Sequence, residues 1–455
     1  MIAELFVLLL CLTLLPIVFV GYGRLRLEKD YFLMLFLFFG AIYVFVDPAL
    51  VHIGGDGAIV DGHESYPKLQ ALVIVLFLLP LGLTYRILKN RFCNAEPRQL
   101  EFYLNETKVI LFCIFFFSFE IAFTVLAFMS NMYARRIGTE VIAEVVGGLD
   151  VLSLAVLRTH DLIVLPEIAL LLILMPSIKR QMRAPVRFLA YGTFMFIVLS
   201  FIVFAVMNSR ALLIFLAMAL LFANLLTGRA KIMPSGGVVL LTAATVFYGM
   251  IVVSNIRNHG IEADMLDVLN PASIISETDS HAFSAAEWMG RLDCIDLIAQ
   301  MDSSLQRNGY EWGGAWERPL VSTLGSIIGL DLAVKYKTEA ITTAKTYLME
   351  RHTDIATKDY PSCMVTDLWG NFWIFGLPAA SMLIATCFVL LRYGLTISRS
   401  PAVFVISLVF AFYIVVFEKE FFDWAFGWIK LIPAIVLLVL FNPIIAISER
   451  KRFFC

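Results

Sequence analysis

Charge is scarce in this 455-residue chain, where Asp, Glu, Lys and Arg make up 16% of the residues against 60% hydrophobic ones. Ordinary soluble domains carry about 25% charged residues, so that class is excluded. An excess of either sign is missing too: 35 Lys and Arg face 37 Asp and Glu, a net charge of -2, which leaves no basic footprint for nucleic acid. Histidines number six and are scattered without metal spacing. HExxH, Cys-x-x-Cys, the Walker glycine loop and GxSxG do not occur. Zinc hydrolysis, dithiol exchange, nucleotide hydrolysis and serine-esterase chemistry therefore lack their usual signatures, and neither a cofactor nor a metal is expected.

The chain has apolar runs instead, with 39 Phe and a mean hydropathy of +0.84. Runs long enough to cross a hydrocarbon core of about 30 Å fall near 2–20, 31–47, 69–87, 109–129, 162–178, 188–207, 211–226, 236–253, 368–391, 401–417 and 426–447. They predict an all-α polytopic membrane protein with about 11 transmembrane helices. The first run carries Glu4, and its basic residues, Arg24, Arg26 and Lys29, follow it, as in a retained span rather than a cleaved leader. More than half of the Lys and Arg fall in the alternate segments 21–30, 86–108, 179–187, 227–235, 392–400 and 448–455, which makes these cytoplasmic. The N-terminus is then outside and the C-terminus inside.

Three blocks follow from this topology. Residues 1–253 hold eight spans, 254–367 form one large outside loop, and 368–455 hold three spans and a short cytoplasmic tail. The loop has too many apolar residues for a disordered linker and is expected to fold on the membrane. Within it, 283–301 has the apolar spacing of an amphipathic helix, from which Glu287, Arg291 and Asp293 project. Residues 309–320, rich in Gly, Trp and charge, read as a shaped binding loop. The loop's cysteines, Cys294 and Cys363, are free to bond in an oxidising compartment, although nothing in the spacing brings them together.

Histidine and tryptophan both sort to the outside, so the chemistry is expected there. His52, His63, His160, His259, His281 and His352 fall in outside segments. Trp369, Trp373, Trp424 and Trp428 read as an interfacial aromatic belt, whereas Trp288, Trp312 and Trp316 offer flat faces for sugar rings or for packing. Arg210, in the near-zero-length turn Asn208-Ser209-Arg210, is held as an anion receptor requires, and Arg grips pyrophosphate through paired hydrogen bonds. Arg257, just after the eighth span, reaches the same side, while Arg291 and Arg318 either join that cluster or pair with Asp293 and Glu317. In the outer turn Glu418-Lys419-Glu420-Phe421-Phe422-Asp423-Trp424, followed by Lys430 inside the last span, carboxylates and amines crowd one patch.

Together, Ser209-Arg210 before an apolar run, Gly370-Asn371-Phe372 with Gly376 after the long loop, and Lys419-Glu420-Phe421-Phe422-Asp423 before the last span resemble motifs of a known family. They are similar to the bacterial oligosaccharide repeat-unit polymerases of the Wzy type, which include the O-antigen and enterobacterial common antigen polymerases. Asn208 and Trp373 stand where that family commonly has Gly. The resemblance implies a GT-C-like inner-membrane glycosyltransferase with a periplasmic loop. Its substrate and partner would be undecaprenyl-pyrophosphate-linked oligosaccharide among the membrane lipids, with a chain-length regulator as a further partner and no nucleic acid. It also implies that Arg210 and Arg257 neutralise the diphosphate, assisted by Arg291 or Arg318. Glu287, Asp293, His281 and Glu420 are then the candidate proton acceptors. Trp288, Trp312, Trp316, Asn371, Asp423 and Lys430 would line the substrate. Two alternatives remain open from the sequence: an O-antigen ligase transferring glycan to lipid A core, and a lipid-linked oligosaccharide flippase.

Overall fold

The computed structural model describes residues 27–46, 66–93, 100–129, 151–208, 216, 219–223, 226, 294–317, 319–320, 344–353, 362–417 and 420–449, and these are mostly helical. Among the described residues, six stretches are long and apolar enough to cross a membrane: Lys68–Phe92, Glu106–Ala127, Leu162–Gln181, Ala184–Ile202, Met364–Thr396 and Phe421–Leu440. Asp30–Phe45 and Pro401–Ile414 are shorter apolar helices. Leu83, Ile87, Leu111, Ile114, Phe188, Leu199, Leu390 and Leu440 are exposed on them, a surface suited to lipid rather than water. The expected spans 2–20 and 236–253, and most of 211–226, lie outside the described residues.

The chain divides into two compact units. The first contains residues 1–96, 283–393 and 413–430. Its helices are α1 (Leu27–Ala41), α2 (Tyr66–Val73), α3 (Leu79–Phe92), α7 (Cys294–Asn308), α8 (Ala344–His352), most of α9 (Met364–Thr396) and the short α11 (Phe421–Phe426). Phe417 lies at its centre, with ring centroids 5.2 Å from Phe36 and 6.3 Å from Phe77. Gly40 permits this packing, because a Cβ there would sit 2.9 Å from the Phe417 ring.

Elsewhere in the same unit, Asp30 of α1 is buried with three partners. It pairs with Arg392 of α9, accepts the Tyr85 hydroxyl proton, and lies 3.7 Å from the Lys89 ammonium of α3. Segments 21–30, 86–108 and 392–400 were all assigned to one side of the membrane, and these contacts bring them together. Replacing Arg392 by Leu leaves the buried Asp30 carboxylate with the Tyr85 hydroxyl and, for a cation, the Lys89 ammonium at 3.7 Å, and a loss of about 3–5 kcal/mol is expected. The doubly substituted Asp30→Leu/Arg392→Leu protein should recover most of it in thermal unfolding in detergent. A double variant as unstable as the single one would contradict an ion-pair origin.

The second unit contains residues 97–282, 394–412 and 431–455. It is built from α4 (Glu106–Met129), α5 (Val151–Gln181), α6 (Ala184–Asn208), most of α10 (Pro401–Ile414) and α12 (Ile432–Leu440). The span within α5 is the most enclosed, 78% buried, so α4, α6 and α12 pack around it. Two strands, β1 (Leu100–Leu104) and β2 (Ile444–Glu449), pair antiparallel with Leu100 opposite Glu449. Gln181 caps this ribbon by donating to the Phe102 carbonyl at 2.7 Å, and Arg183 pairs with Glu106 at 2.7 Å. Segment 86–108 thus also meets two more segments assigned to the same side, 179–187 and the C-terminal end.

Two expectations need correction. The last span, expected over 426–447, is helical only to Leu440, because Asn442-Pro443 ends it and the apolar Ile444–Ile447 run enters the ribbon instead. The fold is thus not purely helical. His160 is fully buried in α5, just before the apolar stretch Leu162–Gln181 and 3.1 Å from the Glu120 carboxylate of α4. The helix expected over 283–301 is described from Cys294 and runs past 301 to Asn308, where Gly309 (φ 88°) ends it by donating its N–H to the Leu305 carbonyl; 283–293 lie outside the described residues.

Candidate functional site

The site lies wholly in the first unit, where the 309–317 loop, α8, the first turns of α9 and the 420–423 turn converge. It originates in a break of α9. Trp373 adopts φ 53°, ψ -144°, outside the helical region, and so releases the carbonyls of the preceding turn. The loop takes these acceptors: Glu311 N–H donates to the Gly370 carbonyl at 3.3 Å and Trp312 N–H to the Asn371 carbonyl at 2.7 Å. Trp312 itself has φ 50°, beside Gly313 at φ 93°, a backbone strain of the kind held in place only by surrounding contacts. This turn leaves the Trp312 indole 64% exposed.

Asp367 holds the three segments together. Its Oδ1 accepts from Trp316 Nε1 and from Asn371 Nδ2, both at 2.8 Å, and its Oδ2 accepts from Phe422 N–H at 2.9 Å. Trp316 is surrounded by Phe372, Phe421, Phe422 and Phe426, with ring centroids at 4.8–6.3 Å. Asn371 is fully buried, and its side-chain oxygen has no hydrogen-bond partner among the described residues. Gly370 lets α8 approach α9, since a Cβ there would lie 2.7 Å from the Leu348 side chain. Gly370→Val should push α8 away and cost about 1–3 kcal/mol, read as a lowered melting temperature; an unchanged value would mean that α8 is not held by this contact.

A second carboxylate, Glu311, anchors α8 to the loop. It accepts from His352 Nε2 at 2.8 Å, Arg351 Nε at 3.0 Å and the Tyr347 hydroxyl at 3.2 Å. His352 Nδ1 in turn meets the Ser304 hydroxyl of α7 at 3.1 Å.

Glu420 directly precedes α11 and its carboxyl group titrates unusually. Burial, reinforced by the charges of Asp367 and Asp423, pushes it up to about 8, against the opposing backbone N–H and ammonium of Lys345. Asp423 lies 3.8 Å from the Lys430 ammonium, both about half exposed. The 420–423 turn thus presents a carboxyl that changes protonation near neutral pH and, with Lys430, an amine-carboxylate pair, while the 309–317 loop carries the exposed Trp312 indole, on a scaffold fixed by buried hydrogen bonds. That combination can accept or deliver one proton at a hydroxyl while a flat apolar ring face is held nearby.

Of the residues expected to act, the structure places Glu420, Asp423, Lys430, Asn371, Trp312 and Trp316 in this unit. Trp316 has its N–H committed to Asp367, whereas Trp312 is open. Arg210, Arg257, His281, Glu287, Trp288, Arg291, Asp293 and Arg318 lie outside the described residues. Asp367, Glu311 and His352 were not anticipated. The signal for Asp367 was a carboxylate directly before an apolar run. No family model, curated protein or solved structure matches the chain.

Proposed function

We propose that this chain is an inner-membrane glycosyltransferase of the Wzy type, polymerising undecaprenyl-pyrophosphate-linked oligosaccharide repeat units on the periplasmic side. The growing glycan is the donor and a single lipid-linked repeat unit is the acceptor. The observation that carries this reading is Glu420, whose carboxyl is poised near 8 among Asp367 and Asp423 at the head of an apolar helix. A general base works best with a pKa close to the operating pH. In this mechanism the Glu420 carboxylate takes the proton of the acceptor hydroxyl. The hydroxyl oxygen forms its bond to the donor anomeric carbon, and the bond from that carbon to pyrophosphate breaks, releasing undecaprenyl pyrophosphate.

The exposed Trp312 face receives a sugar ring, and Asp423 with Lys430 orients its hydroxyls. Arg210 and Arg257, with Arg291 or Arg318, neutralise the departing diphosphate, so the reaction proceeds without a metal. The topology has about 11 spans in a GT-C-like arrangement, with the N-terminus periplasmic and the C-terminus cytoplasmic. The pairing of like-assigned segments within each unit supports it. A chain-length regulator is the expected protein partner.

The test is a deletion strain carrying the wild-type gene or an Arg210→Ala copy, with lipid-linked and surface glycans separated by size. Lipid A core capped by one repeat unit in the deletion strain, and a ladder restored by wild type but not by Arg210→Ala, is the expected result. Long glycan accumulating on undecaprenyl pyrophosphate would instead make the chain an O-antigen ligase. One observation favours a second reading, a lipid-linked oligosaccharide flippase: Glu120, His160 and Glu167 are buried within apolar helices of the second unit, and Glu167 Oε1 has no partner among the described residues. Ionisable groups inside spans often mark transport pathways.

A further inference from the structure

We infer that Ser304, His352 and Glu311 form a reaction centre of their own, which hydrolyses short-chain carboxylic esters of polar alcohols through a serine nucleophile. The three come from different elements: α7, the end of α8 and the 309–317 loop. Ser304 Oγ lies 3.1 Å from His352 Nδ1, and His352 Nε2 lies 2.8 Å from Glu311 Oε1. Both distances are within the reach over which a base takes a proton from a nucleophile and is itself oriented by a third group. One arrangement of the hydrogens satisfies every contact. Glu311 Oε1 also accepts from Arg351 Nε at 3.0 Å, so His352 Nε2 carries the ring proton and donates it to the carboxylate, leaving a lone pair on Nδ1. Asn308 Nδ2 can only donate, and it donates to Ser304 Oγ at 3.1 Å, so the Ser304 hydroxyl proton turns to His352 Nδ1. Relative to the familiar serine hydrolases the two ring nitrogens have exchanged roles, which the chemistry permits because either neutral tautomer offers one lone pair. Ser304 lies within a helix rather than on a GxSxG turn, so the constellation shows only in three dimensions.

Access narrows the substrate. The His352 and Glu311 side chains are only 1% and 8% exposed, so an ester reaches the centre over Ser304. The exposed residues around Ser304 on α7 are Ser303, Gln306, Arg307 and Asn308, all polar, which offer hydrogen bonds to a sugar-like alcohol but no trough for a long acyl chain. In the reaction, Ser304 Oγ forms a bond to the ester carbonyl carbon while its proton passes to His352 Nδ1. Asn308 Nδ2, which has a second N–H, supplies a donor to the negative oxygen of the tetrahedral intermediate. The bond from the acyl carbon to the alcohol oxygen breaks, and His352 Nδ1 returns the proton to that oxygen. Water then attacks the acyl carbon and gives a proton to His352 Nδ1, and the Ser304 oxygen leaves and takes that proton back. One ester and one water become one carboxylic acid and one alcohol. Glu311 is a positioning residue, which fixes the tautomer and holds the imidazolium while it exists.

This centre does not depend on the polymerase reading, because no glycan donor or diphosphate takes part. Purified full-length protein in detergent is treated with a fluorophosphonate probe, and the labelled peptide is identified by mass. Labelling at Ser304 is expected, together with release of nitrophenol from p-nitrophenyl acetate and little release from p-nitrophenyl palmitate. Labelling and acetate hydrolysis should both be lost in Ser304→Ala, which should melt like wild type because the side chain is partly exposed and Ala is the better helix former. Glu311→Gln should slow labelling about 10²- to 10⁴-fold, and Glu311→Asp should restore part of the rate. Wild-type protein with an intact melting transition that takes up no probe, takes it up at another serine, or hydrolyses the acetate no faster than Ser304→Ala overturns the inference. Palmitate turned over as fast as acetate overturns the short-chain assignment.

Discussion

Replacing Asp367 by Ala is expected to lower stability by about 3–5 kcal/mol and to dismantle the candidate site. Asp367 is the acceptor for an indole N–H, a side-chain amide and a backbone N–H, supplied by three separate segments. Without it, the Trp316 indole N–H and the Phe422 N–H lose their partner while Asn371 Nδ2 keeps only the Asp367 backbone carbonyl, and each orphaned group costs about 1–3 kcal/mol. Asp367→Asn keeps the volume but turns one end of the group into a donor facing a donor, so it should recover only part of the loss. Melting temperature in detergent and the emission of Trp316, which loses its hydrogen bond, are the measurements. An Asp367→Ala protein that melts like wild type would show that the three segments are held in some other way.

Glu420→Gln is expected to lower the transfer rate about 10²- to 10⁴-fold while leaving the fold intact, because the amide replaces a carboxyl that is mostly protonated at neutral pH. The wild-type rate should rise with pH, pass half of its maximum near 8 and level off above it, as the Glu420 carboxylate becomes available. The stability change runs the other way. A carboxyl raised above its ordinary value stabilises the fold fully only below about 4.5, and that contribution is lost as pH rises through about 8. Activity and melting temperature should therefore move in opposite directions across this window, and Glu420→Gln should flatten both. Asp367→Asn removes a neighbouring negative charge, so the same profile should shift to lower pH. A wild-type rate that is flat between pH 6 and 9 would remove Glu420 as the base.

The sequence carried the helical, membrane-embedded character plainly, because 17-residue apolar windows need no tertiary information. It also flagged one side of the site. Glu420, Asp423 and Lys430 are near neighbours in sequence, and their clustering follows from a short turn. Glu311 and His352, 41 residues apart, meet only because α8 packs on the 309–317 loop. The break at Trp373 was illegible for a related reason: the residue there is neither Gly nor Pro, and its left-handed backbone depends on the loop taking up the freed carbonyls. The second strand of the ribbon, Ile444–Glu449, was hidden at the end of an apolar run that length alone assigns to a span, and its partner Leu100–Leu104 lies far away in sequence. The burial of His160 was not legible because its partner, Glu120, sits on another helix.

The most direct measurement is polymerisation by the purified chain reconstituted in liposomes, supplied only with undecaprenyl-pyrophosphate-linked repeat unit. The account predicts a ladder of lengthening lipid-linked glycan, with one undecaprenyl pyrophosphate released per unit added and no requirement for metal or nucleotide. Movement of intact lipid-linked repeat units across the bilayer, with no lengthening and no release, would contradict it and favour the transport reading.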